Sequence, residues 1–85
     1  MFRILVVEDD LSLQKMMSAF LGLNGYQIST AANGEQALDA IDHVMPDLVI
    51  ADVMMPVMDG WQLTKELREL YPQLPIMLVT ARDTL

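Results

Sequence analysis

The sequence predicts one α/β domain in which a parallel sheet lies between two layers of helices. Short apolar runs alternate along the chain with longer segments in which apolar residues recur at the helical period. The connections are short, and Asn24-Gly25, Asn33-Gly34 and Tyr71-Pro72 supply stops between the elements. The resulting order β-α-β-α-β-α-β requires right-handed crossovers, which place helices on both faces of the sheet.

Four segments are predicted as strands. Arg3–Val7 and 48–51 contain unbroken apolar runs, which favour strands that are buried on both faces. Ile76–Val79 is equally apolar and is predicted to be a third buried strand, closed by Thr80-Ala81. Gln27–Ala31 alternates apolar and polar residues, which is typical of an edge strand with one face in water.

The first predicted helix covers Leu11–Leu23. Its apolar residues form one stripe that is expected to face the sheet, made of Leu13, Met16, Met17, Phe20 and Leu21. Three polar residues near its start, Asp9, Asp10 and Ser12, are candidates for its N-cap.

Two further helices are predicted over 35–43 and 59–70. Pro46 prevents the second helix from continuing. In the third helix the expected inner stripe is Leu63, Leu67 and Leu70. Asp59, with Gln62 three residues later, resembles a capping box at its start. Trp61 is expected to serve as packing or surface cover.

The composition of the chain excludes several classes of function. The chain has 85 residues, a formal charge of −7, a pI near 4.2 and no cysteine. Such an acidic chain is a poor electrostatic match for nucleic acid or anionic lipid, so DNA binding would require a segment outside this sequence. No apolar stretch is long enough for a signal peptide or a membrane span, and the expected location is the cytoplasm.

Acidic residues stand where two apolar runs end. Glu8-Asp9 follows the first run, and Asp52 follows the run 48–51. If these runs are neighbouring parallel strands, the three carboxylates share one small cavity, where each pair repels by roughly 4 kcal/mol at about 4 Å and an effective dielectric near 20. Mg²⁺ prefers oxygen ligands of this kind and relieves the repulsion. A carboxylate beside bound Mg²⁺ can accept a phosphoryl group as an acyl phosphate.

The chain resembles the receiver domain of two-component response regulators. Five motifs carry the resemblance at matching spacings: Glu8-Asp9, Asn33-Gly34-Glu35-Gln36-Ala37, Pro46-Asp47, Asp52-Val53-Met54-Met55-Pro56 followed by Met58-Asp59-Gly60, and Thr80-Ala81. The resemblance implies a flavodoxin-like, three-layer α/β/α fold with a parallel sheet of order 2-1-3-4-5, whose site lies at the strand ends.

The resemblance also implies a role for each site residue. Asp52 is the expected phosphoacceptor. Asp9, Asp52 and the backbone carbonyl of Met54 are the expected Mg²⁺ ligands, with Glu8 acting through water or by orienting the cluster. Thr80 is the expected switch residue, whose hydroxyl would bond a phosphoryl oxygen.

By the same resemblance, the phosphoryl donor is a sensor histidine kinase. The output is expected to be a DNA-binding transcription regulator in the full-length protein. The chain itself is expected to be no enzyme but an acceptor that phosphorylates itself and dephosphorylates slowly at most.

Residues 1–85 are expected to form an incomplete receiver domain of order 2-1-3-4, truncated after the fourth strand. The lysine and the aromatic switch residue that receivers carry on and after a fifth strand have no counterpart before Leu85. Such a fragment is expected to bind Mg²⁺ weakly and to phosphorylate poorly. Its apolar edge 76–79 is expected to invite a homodimer or a strand-paired oligomer.

Two other functions compete with this interpretation. A degenerate receiver would act only as a dimerisation module, but such forms usually lose an acidic residue and this chain keeps all three. A Mg²⁺-dependent phosphohydrolase of the haloacid dehalogenase type carries an acid/base Asp two residues after its nucleophile, where this chain has Met54. Taken alone, Asp9 would be a helix cap and Thr80 a strand residue.

Overall fold

A computed structural model describes residues 1–80 of the chain. Its four strands form one parallel sheet of order β2-β1-β3-β4, as the sequence predicts. The elements follow in chain order: β1 Arg3–Val7, α1 Leu11–Leu23, β2 Gln27–Ala31, α2 Gly34–His43, β3 Leu48–Asp52, α3 Gly60–Leu70 and β4 Ile76–Val79. Ala81, predicted to follow the last strand, lies outside the described residues.

The register aligns the carboxyl ends of the strands. Val7 of β1 pairs with Ala31 of β2 on one side and with Ala51 of β3 on the other. Asp52, the last residue of β3, pairs with Val79 of β4. Residues that follow β1 and β3 therefore emerge side by side at one edge of the sheet.

Side-chain caps fix where the helices begin. Of the three candidates at the start of α1, Asp10 is the cap, because its Oδ1 accepts a hydrogen bond of 3.1 Å from the backbone N–H of Leu13. The predicted capping box of α3 is present, since Asp59 and Gln62 each accept a hydrogen bond from the other's backbone N–H. Because Asp10 caps α1, Asp9 is available for another role.

One face of the sheet is closed by α2 and α3. The buried residues of this face form one cluster: Leu5, Val7, Ala31, Ala37, Ile41, Val49, Ala51, Met55, Leu63, Leu67 and Leu74. The alternation of side chains along each strand sends every second residue of β1 and β3 into this cluster. We call this the closed face.

The opposite face has a much smaller core. Its buried residues are Ile4, Val6 and Ile50, and the helical side chains packed against them are Met17 and Leu21 of α1. We call this the open face. The predicted stripe of α1 is therefore wrong in part, because Met16 and Phe20 are 63% and 67% exposed. Met16 and Phe20 lie beside Met17 and Leu21, the two residues of α1 that pack against this cluster. Among residues 1–80, no second helix packs on this face to cover them.

Two other burial predictions need correction. Leu70 was predicted to face inward, but it lies in the last turn of α3 and is 60% exposed. Strand β4 was predicted to be buried on both faces, but it is only half-buried, and Met77 is 51% exposed. In residues 1–80 this strand pairs with β3 alone, so it forms an edge. No helix among these residues is long and apolar enough to span a bilayer.

Candidate metal centre

Three carboxylates meet at the aligned ends of β1 and β3. Glu8 and Asp9 follow β1 directly, and Asp52 ends β3. One carboxylate oxygen from each residue lies within 4.8 Å of the other two. The structure thus brings together the three acidic residues that the sequence singled out, as parallel pairing of the two strands requires.

Burial makes this cluster electrostatically unusual. Glu8 and Asp52 are each only 1% exposed, and Asp9 is half-buried. Burial raises the pKa of Glu8 to about 7, although the backbone N–H of Asp10 opposes the rise and the neighbouring Asp52 adds to it. A cation placed among these groups would favour their charged forms and reverse this effect.

Backbone hydrogen bonds orient two of the carboxylates. The N–H of Asp10 donates to Oε2 of Glu8 at 2.9 Å, and the N–H of Met54 donates to Oδ1 of Asp52 at 3.1 Å. Each bond holds one oxygen of its carboxylate and so fixes the direction of the other. The two residues are therefore preorganised by the short loops that follow β1 and β3.

Gln14 supports the same loops and was missed in the sequence. Its side-chain amide donates to the backbone carbonyls of Glu8 and Ala31, at 3.0 and 3.3 Å. It thereby ties α1 to the ends of β1 and β2. The available signal was its spacing, since Gln14 precedes Met17 by three residues and Leu21 by seven and so shares their side of the predicted helix.

The start of α3 packs closely against the end of β3. The N–H of Gly60 donates to the carbonyl of Val53 at 2.9 Å, and a Cβ at Gly60 would lie 2.6 Å from the carbonyl oxygen of Asp52. The connecting loop turns sharply at Val57, whose φ of 70° is rare for a β-branched residue. Glycine at position 60 is thus required by close approach to the acidic site.

Two predicted site residues lie next to the cluster. Met54 follows Asp52 by two positions, its N–H is bonded to that carboxylate, and its side chain is 50% exposed. Thr80 is exposed and directly follows Val79, the register partner of Asp52. Both residues are at the site edge of the sheet, while their predicted roles as a carbonyl ligand and a switch hydroxyl stay predictions.

The donor set fits a hard divalent cation. All three side chains offer carboxylate oxygens, and Mg²⁺ binds such oxygens at about 2.0–2.1 Å in octahedral geometry, so opposite ligands lie about 4.2 Å apart. Ligand atoms gathered within 4.8 Å match that size. Softer metals are expected to bind weakly, since the cluster contains neither imidazole nor thiolate ligands.

Comparison with known proteins identifies this arrangement. Residues 4–85 match the family described as response regulator receiver domain. The chain belongs to this family. The resemblance stated from its motifs is therefore confirmed.

Curated relatives support the same assignment. The receiver is 44% identical over 82 residues to the response regulator MprA of Mycobacterium sp. (strain KMS), and equally to that of Mycolicibacterium vanbaalenii. Each match covers 96% of this chain and 36% of the relative. The chain thus spans about a third of the length of these relatives.

Solved structures confirm the predicted fold. The receiver superimposes with a TM-score of 0.92 on the response regulator TrrA of Thermotoga maritima in complex with Mg(2+)-BeF, at 38% identity. It superimposes with a TM-score of 0.91 on the chemotaxis protein CheY4 of Vibrio cholerae, at 36% identity. The matches cover 98% and 99% of this chain and 72% of each solved chain.

Proposed function

We propose that this receiver accepts a phosphoryl group on Asp52 in a Mg²⁺-dependent reaction and passes the signal to an output. The observation that carries the proposal is the burial of Asp52 at the strand ends, with carboxylate oxygens of Glu8 and Asp9 within 4.8 Å. Membership of the receiver family supports it. So does the likeness to TrrA, which is described in complex with Mg(2+)-BeF.

The transfer itself is a substitution at phosphorus. A carboxylate oxygen of Asp52 forms the new P–O bond while the P–N bond of a phosphohistidine breaks, and the released ring nitrogen takes up a proton from water. Asp9, Asp52 and the carbonyl of Met54 would hold Mg²⁺, which when bound offsets the charge shared by carboxylate and phosphoryl oxygens. Phosphoryl transfer of this type depends mainly on positioning and electrostatics.

The chain's own residues supply that positioning. The N–H of Met54 holds Oδ1 of Asp52 and directs the other carboxylate oxygen. Glu8, held by the N–H of Asp10, orients the cluster or acts through water. Thr80, at the end of the strand paired with Asp52, is the proposed donor to a phosphoryl oxygen. The chain is an acceptor with slow autodephosphorylation at most, and no turnover enzyme.

The proposal extends to partners that the chain does not contain. A sensor histidine kinase is the proposed phosphoryl donor, and a DNA-binding transcription regulator is the proposed output of the longer protein. The exposed edge of β4 is a proposed contact for a homodimer or a strand-paired oligomer. The proposed location is the cytoplasm.

Both competing functions are less favoured. A degenerate receiver would not need three gathered carboxylates, and here all three are present. A phosphohydrolase of the haloacid dehalogenase type would need a carboxylate at position 54, where the side chain is an exposed methionine.

Beryllofluoride, which mimics an acyl phosphate, tests the proposal. With Mg²⁺ present, fluorine NMR is expected to show a bound signal for the complete receiver of the longer protein and none for its Asp52→Asn variant. Asp42→Asn is the matched control, because Asp42 is an exposed carboxylate on α2. A bound signal that survives in Asp52→Asn, or that disappears equally in Asp42→Asn, would overturn the assignment of the acceptor.

A further inference from the structure

A cavity of about 630 Å³ opens beside the acidic cluster. Asp9, a proposed Mg²⁺ ligand, lies on its wall, and the loop 53–56 continues that wall away from the cluster. Asp59 and Trp61, at the start of α3, complete the lining. A group that enters this cavity therefore reaches Asp9, whose carboxylate oxygen lies within 4.8 Å of one of Asp52.

Trp61 is the one aromatic residue among the described residues that line this cavity. Of the two roles predicted for it, packing and surface cover, its exposure of 64% excludes packing. It is the single tryptophan of the chain and lies in the first turn of α3, directly after the glycine that packs against Asp52. Stacking on a flat ligand would bury much of this exposed aromatic surface, which is energetically favourable.

The charges of the cavity select the kind of ligand. Its lining carries two carboxylates, Asp9 and Asp59, and no basic side chain. One oxygen of Asp59 accepts the N–H of Gln62, so this carboxylate is fixed in place at the start of α3. Because Asp9 would share its charge with Mg²⁺, a flat cation is favoured here by Asp59 and by the face of the indole. An imidazole ring that carries its second proton has these properties.

We infer that Trp61 is the platform on which the imidazole ring of the phosphoryl donor stacks while its phosphoryl group faces Asp52. The inference rests on the proposed function and adds a preference among donors. The P–O bond to Asp52 forms as the P–N bond breaks, and the departing imidazole, which gains a proton from water, stays stacked on the indole until it leaves. A donor without a ring reacts at the same carboxylate but makes no use of Trp61.

Two small donors separate ring recognition from the chemistry. Phosphoimidazole carries the ring, whereas acetyl phosphate does not. We expect Trp61→Ala to lower the labelling rate with phosphoimidazole by about 3- to 10-fold, and to leave the rate with acetyl phosphate within about twofold. Trp61→Phe keeps an aromatic face and should retain most of the rate. Leu70→Ala is the control, because Leu70 is equally exposed at the other end of α3.

A parallel loss with both donors, or no loss with either, overturns the inference. A second measurement decides it without any transfer. Imidazole, titrated at a pH at which its ring carries the second proton, should shift the indole N–H resonance of Trp61 saturably, whereas acetate at equal concentration should not. A shift that grows linearly or is matched by acetate overturns the inference. If neither donor labels the receiver of the longer protein, the proposed function fails, and this titration still decides the ring site.

Discussion

The two faces of the sheet differ in burial more than their strands would suggest. Eleven buried residues form the cluster on the closed face, and three form the cluster on the open face. Strands β1 and β3 contribute apolar residues to both faces. The difference therefore arises from the helices: α2 and α3 cover one face, and α1 supplies the helical contacts of the other.

Two of the three gathered carboxylates, Glu8 and Asp52, lie at the end of the less buried face. By strand alternation, Asp52 continues the row of Ile50, which belongs to the open face. Gln14 of α1 reaches the carbonyl of Glu8 from the same helix that packs there. The closed face thus contains most of the buried apolar residues, while the open face ends at the carboxylate of Asp52, the proposed phosphoacceptor. Four experiments test this division, starting with the largest expected effect.

Matched truncations on the two faces should differ most. Leu67→Ala removes a side chain with no exposure from the closed face, so it should cost about 3 kcal/mol in the free energy of unfolding. Phe20→Ala removes a larger side chain that is 67% exposed, and it should cost less than about 0.5 kcal/mol. Urea denaturation measures both. Equal losses would show that the open face is as well packed as the closed one.

Two glycines sharpen the comparison near the site. A Cβ at Gly60 would meet the backbone at two points, 2.6 Å from the carbonyl oxygen of Asp52 and 2.9 Å from the Cα of Val53. A Cβ at Gly34 would meet Met58 at 2.6–2.7 Å, at its Cβ as well as at its Cγ and Sδ. We expect Gly60→Ala to cost about 2–3 kcal/mol in stability and Gly34→Ala about 1–2 kcal/mol, since the Cγ and Sδ of Met58 can rotate away whereas the backbone at Asp52 and Val53 cannot. The reverse order in thermal unfolding would contradict this packing.

The strand order was predictable from the sequence because apolar runs and turn residues are local signals. The acidic cluster was predictable too, since parallel strands bring their ends together. The exposure of Met16 and Phe20 was not predictable from the sequence. Helical periodicity shows which face of α1 is apolar, but it does not show whether another element covers that face. The close approach of Gly60 to β3 was not predictable either, since it depends on where α3 packs against β3.

The pH dependence of stability tests the buried carboxylates. The pKa of Glu8 rises from its ordinary 4.5 to about 7. Between these values the folded chain keeps a proton that the unfolded chain has lost, so stability falls as pH rises through this window. In Mg²⁺-free buffer, the free energy of unfolding of wild type should fall by on the order of 1–2 kcal/mol more than that of Glu8→Gln as the pH rises through this window.

Glu66→Gln is the control for this experiment, because Glu66 is an exposed carboxylate on α3. It should follow the wild-type pH curve. A Glu8→Gln profile that is parallel to the wild-type profile would mean that Glu8 is charged in the folded chain without a cation.

A Mg²⁺ titration of two neighbouring aspartates tests the central claim most directly. Asp9 belongs to the gathered carboxylates, whereas Asp10 caps α1, a task that asparagine performs equally well. Calorimetry should show Mg²⁺ affinity about 10-fold or more weaker in Asp9→Asn, because a charged ligand is lost, and within about twofold of wild type in Asp10→Asn. Unchanged affinity in Asp9→Asn, or the same loss in both variants, would contradict a cation site formed by residues 8, 9 and 52.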